Sequence, residues 1–105
     1  MLKNIEPMNE LPARDAFFAC LNTSFHLGEP GQDVGLLLTQ VSEMKTSHAA
    51  QTFSILFHGP QECFLPQRIY RLAHPKLGEI DLFLVPVAEQ AGGFVYQAVF
   101  NQLLV

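Results

Sequence analysis

The residues of this chain best suited to metal binding or nucleophilic catalysis are four histidines (His26, His48, His58, His74) and two cysteines (Cys20, Cys63). No two histidines form an H-x-H or H-x-x-x-H pair, and each falls on a different stretch of the chain. A metal site would therefore have to be assembled entirely by the fold, so none is assigned. A thiolate nucleophile needs a base or a positive end of a helix beside it to lower its pKa. Cys63 lies five residues from His58 and Cys20 six from His26, without adjacent basic residues, and Cys20 falls at the wrong end of its helix. Both cysteines are expected to be reduced and structural.

Serine chemistry finds no G-x-S-x-G elbow around Ser24, Ser42, Ser47 or Ser54. Gly28, Gly31 and Gly35 precede no helix, so they cannot cradle a phosphate at a helix N-terminus. Glu79 and Asp81 are the one close carboxylate pair of note, and two-residue spacing puts both on one face of a strand. There they read as a solvated pair protecting a sheet edge rather than as a glycosidase pair, whose members come from separate elements. No catalytic, cofactor-binding or metal-binding residue is assigned.

Two groups remain as candidate sites. Phe64 and Leu65 are apolar residues in a loop bounded by Pro60 and Pro66, where loops are usually polar. They either plug one end of the fold or form a preformed anchor for a protein partner. His58, Tyr70 and His74 fall near strand ends, where a barrel mouth could bind a small molecule or carry out a minor reaction.

Composition narrows the functional classes. The 105 residues are 49% hydrophobic and only 15% charged, with a net charge of −4. That size suits a single β-rich domain spanning 1–105, and the low charge argues against disorder. A surface short of charge predicts self-association or a protein partner. Negative net charge disfavours nucleic acid, and Arg68, Arg71 and Lys76 beside Tyr70 read as a solvated strand face. No apolar run is long enough for a membrane helix, and Met1–Pro7 lacks a signal-peptide core, so a soluble, cytoplasmic protein is expected.

The elements follow from periodicity. Pro12 pre-sets a first helical turn, and Ala13, Phe17, Phe18 and Leu21 follow at helical spacing, predicting a helix of about ten residues ending near Asn22. Too short to persist alone, it must dock and close one end or side of the fold. Six strands are predicted at 23–27, 34–43, 52–58, 68–73, 79–85 and 94–101. Phe53, Ile55 and Phe57 share a face, as do Tyr70 and Leu72, then Ile80, Leu82 and Leu84, then Phe94, Tyr96, Ala98 and Phe100. Apolar residues on both faces of 79–85 predict a central strand covered on both sides. Loops are expected at 28–33, 44–51 and 74–78, with a hairpin loop over 89–93 whose paired glycines supply positive φ. The fold class is mainly β: a six-stranded antiparallel barrel or sandwich with one short N-terminal helix.

Several runs carry a family resemblance: Phe53-Ser54-Ile55-Leu56-Phe57-His58-Gly59-Pro60, Leu65-Pro66-Gln67 and Tyr70-Arg71-Leu72-Ala73-His74-Pro75-Lys76-Leu77-Gly78. Leu82-Phe83-Leu84-Val85-Pro86 and Tyr96-Gln97-Ala98-Val99-Phe100-Asn101 continue it. With these motifs, over about half its length, the chain resembles a small bacterial family of uncharacterised β-rich proteins. The resemblance assigns no catalytic residue. It implies an interaction role, as in an accessory subunit of a bacterial, phage-tail-like assembly. The expected function is thus a non-enzymatic protein-interaction module, with a small-molecule-binding barrel or minor enzyme as the alternative.

Overall fold

The computed structural model describes residues 11–29 and 32–103. The N-terminal run Met1–Pro7, and Pro30 and Gly31 of the expected 28–33 loop, lie outside the described residues. A helix α1 (Arg14–Phe18) precedes strands β1 (Ser24–Glu29), β2 (Gln32–Val41), β3 (Lys45–Thr46), β4 (Ala50–Pro60), β5 (Arg68–His74), β6 (Gly78–Gln90) and β7 (Gly93–Leu103).

All pairings are antiparallel. The order β2-β1-β5-β6-β7-β4 closes on itself because β2 also pairs with β4, through Leu37↔His58 and Val41↔Ile55. The result is a closed six-stranded antiparallel barrel, with β3 added beside β4 through Lys45↔Thr52 and Thr46↔Gln51. Of the two expected architectures, barrel and sandwich, this is the barrel. The strand β3 was hidden in the expected 44–51 connection, since two residues carry no period. Its turn is organised by the Ser47 hydroxyl, which accepts hydrogen bonds from the Ala49 and Ala50 amides.

Alternation decides which side chains fill the barrel. Phe53, Ile55 and Phe57 of β4, Tyr70 and Leu72 of β5, Ile80, Leu82 and Leu84 of β6, and Tyr96 and Ala98 of β7 are buried in one core. Phe94 and Phe100 pack partly buried against it. The expectation that β6 is covered on both sides is corrected. It is central in pairing, between β5 and β7, yet Phe83 is 50% exposed, because a barrel gives each strand one inner and one outer face.

The helix is shorter than expected, with its regular part ending at Phe18. The Cys20 and Leu21 amides bond back only three residues, to the Phe17 and Phe18 carbonyls, and Asn22 turns the chain with φ of 66°. Its docking role holds. Phe17 is fully buried among the rings of Phe25, Phe53 and Phe100, which come from three barrel strands, and it closes that end of the barrel.

The β6–β7 hairpin turns on two residues rather than five. Ala91 and Gly92 carry φ of 54° and 74°, the paired positive values of a tight twisted hairpin turn. Gly93 is already in β7 and serves another purpose: a Cβ there would sit 2.1 Å from the Gly59 carbonyl oxygen. A side chain at Gly93 would push β7 off β4.

Candidate interaction surface

The loop from Gln61 to Gln67 lies at the end of β4 opposite to the helix and treats its two apolar residues differently. Leu65 is buried, and its amide donates to the Tyr96 hydroxyl at 2.9 Å inside the barrel. Burial raises the Tyr96 phenol above its ordinary value, a shift that the Leu65 bond opposes. One residue later the Pro66 carbonyl accepts from the Tyr70 hydroxyl at 2.5 Å. Leu65 is therefore a plug, held by two inward tyrosines. Phe64 stays half exposed, its ring edge-on to Phe94 at 5.0 Å.

The three residues considered for a barrel mouth occupy three different settings. Tyr70 points inward near the Leu65 plug, under the Arg68 guanidinium, which lies 4.6 Å above its ring. His74 is buried at the other end of β5, bonded to Thr23 and to the Lys76 amide. His58 is partly exposed, follows inward Phe57, and donates from Nε2 to the Gln90 carbonyl at 3.0 Å. Side chains fill the barrel between them.

Other residues with chemical potential are also accounted for. Cys20 and Cys63 are free, the first buried and the second half-buried. His26 pairs with Asp33 at 3.1 Å on the exposed outer face. Among the described residues no three of His, Cys, Asp and Glu gather as metal ligands would. Glu79 and Asp81 stand on the part of β6 that pairs with β5 alone, because the ladder between β6 and β7 runs only over Val85–Gln90. Asp81 takes a two-pronged hydrogen bond from Arg71 at 2.8 and 3.0 Å, with Glu79 at 3.8 Å. The Arg71 hydrogen bond holds the Asp81 carboxyl below its usual range.

What the outer face does present is apolar. Ile69 on β5 stands directly opposite Phe83 on β6, and the two are 64% and 50% exposed. Val99 on β7 is 56% exposed and lines the same shallow groove, with Leu11 and Phe100 at its margin. The row thus crosses three neighbouring strands and is bordered by the Arg71–Asp81 ion pair. Sequence reading found both members of each alternation but gave the outer apolar residues of β6 a covering layer. The signal for a surface was the apolar outer position repeated on three adjacent strands, visible only once strand order is known.

No helix among the described residues is long and apolar enough to cross a membrane. No curated protein and no solved structure matches the chain. A family model does match, over residues 12–100 and so across the barrel and its helix, and on that match the chain belongs to the family described as a domain of unknown function (DUF6916).

Proposed function

We propose that this chain is a non-enzymatic protein-interaction module that docks through the Ile69–Phe83–Val99 row. The observation that carries the reading is that row: three large apolar side chains, each at least half exposed, on adjacent strands of the barrel. A strand's outer face in water is ordinarily polar at these positions. An apolar centre bordered by the Arg71–Asp81 pair has the make-up of an interface core with a polar rim. The half-exposed Phe64 on Phe94 provides a smaller second contact at the plug end. Low overall charge keeps such a surface from being repelled by its own copies. The finer role of accessory subunit in a bacterial assembly rests on this surface together with the family resemblance.

The test is sedimentation velocity over a wide concentration range, comparing wild type with the combined Ile69→Ser, Phe83→Ser and Val99→Thr variant. All three side chains point away from the core, so the variant keeps its far-ultraviolet circular dichroism. Wild type is expected to gain average mass with concentration while the variant stays monomeric. Identical, monomeric behaviour of the two proteins throughout would sink the proposal.

A further inference from the structure

His74 is 6% exposed and, tyrosines and cysteine apart, is the only buried polar side chain among the described residues. Its two ring nitrogens tie separate parts of the barrel together. The Lys76 amide, in the turn after β5, donates to Nδ1 at 3.0 Å, so Nδ1 carries a lone pair. Nε2 must then carry the proton and donate it to the Thr23 hydroxyl at 2.9 Å. Thr23 in turn donates to the Cys20 carbonyl at 2.6 Å, at the end of the turn that leaves α1. The ring also packs against Phe25 of β1, with centroids 4.4 Å apart. This chain of hydrogen bonds runs from the β5–β6 hairpin to the segment that positions Phe17.

We propose that His74 is an acid-sensitive latch, whose neutral ring holds the α1–β1 junction on the barrel and whose protonation frees the helical cap from the barrel end. A proton added at Nδ1 would face the Lys76 N–H, donor against donor, and break that bond. The positive groups that act on the ring oppose protonation as well: Lys76 from the following turn and, from the outer face of β1, His26. Gly78, opposite His74 on β6, brings no charge. Burial first, then Lys76 and His26, holds the latched imidazole below its ordinary value of about 6.5.

The sign follows from that ordering. Both latched and released forms are neutral above about 6.5, so the latch is fully formed there. Below that pH the released ring takes up a proton before the latched one, and the latch weakens until the latched form's own lowered value is reached. Across that window one proton is linked to opening, so protection of the junction falls about tenfold per pH unit. Release uncovers the rings of Phe25, Phe53 and Phe100 that Phe17 covers.

The experiment is nuclear magnetic resonance of the whole chain through that window, following the His74 imidazole and amide exchange corrected for its intrinsic pH dependence. His74 is expected to titrate below about 6.5, with protection lost at the Ala19, Cys20 and Thr23 amides but kept at Ile55 and Ala98. In His74→Gln the junction's pH dependence disappears. Should His74→Gln not fold, Thr23→Val removes the same tie from the other side and leaves the junction unprotected already at neutral pH. Titration at or above the ordinary value overturns the proposal, as does equal loss at Ile55 and Ala98. Acid opening that persists in His74→Gln, or unchanged neutral protection in Thr23→Val, does so as well.

Discussion

Truncating Leu65 and Phe64 separately tests whether the plug and the exposed ring are distinct in energy as well as position. Leu65→Ala removes three carbon groups from a side chain that is 5% exposed. At ~0.8 kcal/mol per buried methylene, the transfer loss is about 2.4 kcal/mol. Incomplete collapse around the gap brings the cost to about 3 kcal/mol. Phe64→Ser removes a ring that is already 51% in water, and forfeits an edge-on contact with Phe94. Such a contact is worth ~0.5–1.5 kcal/mol, so about 1 kcal/mol is expected. Equilibrium urea unfolding followed by circular dichroism reads both. With a slope of about 1.5 kcal/mol/M, the midpoint drops by about 2 M for Leu65→Ala and by well under 1 M for Phe64→Ser. If Phe64→Ser costs as much as Leu65→Ala, the division of this loop into a buried plug and an outward ring is wrong.

Two further outcomes follow from the same packing. Tyr96→Phe leaves the Leu65 amide buried without its acceptor and should cost ~1–3 kcal/mol in the same urea experiment. Because burial raises the Tyr96 phenol, the unfolded chain ionises first, so wild-type stability falls as pH rises beyond about 10. That alkaline decline shrinks in Tyr96→Phe. Gly93→Ala forces a Cβ against the Gly59 carbonyl and should destabilise by ~1–3 kcal/mol, with amide exchange accelerated first around Gly59 and Phe94. Unchanged exchange there would show that β7 shifts freely.

Much of this architecture is legible in residue order alone. Phe53, Ile55 and Phe57 alternate with polar neighbours, Leu56 excepted, and all three are buried. Tyr70 and Leu72 on β5, and Ile80, Leu82 and Leu84 on β6, follow the same rule. Local pattern fixes which residues face inward because a strand has only two sides. Closure of the barrel is a different matter. The pairing of Leu27 with Leu72 joins residues with no local relationship, and no periodicity encodes it. The outer row was hidden for the same reason, since Ile69, Phe83 and Val99 become neighbours only through strand order. Gly93 looked like a turn glycine beside Gly92, whereas its requirement comes from a strand more than thirty residues earlier. His74 showed its strand but not its burial, which depends on Thr23 and Phe25 arriving from β1.

The position of β4 between β2 and β7 has a kinetic consequence. Its partner on one side is β7, paired from Ala50↔Leu103 to Pro60↔Gly93, so β4 waits for a strand more than thirty residues downstream before that edge is satisfied. Contacts this distant in sequence slow folding into the millisecond-to-second range typical of all-β topologies. During synthesis the Phe53-Ile55-Phe57 ribbon therefore emerges well before the strand that covers its open hydrogen-bonding edge. That interval is when the nascent chain is most exposed to aggregation.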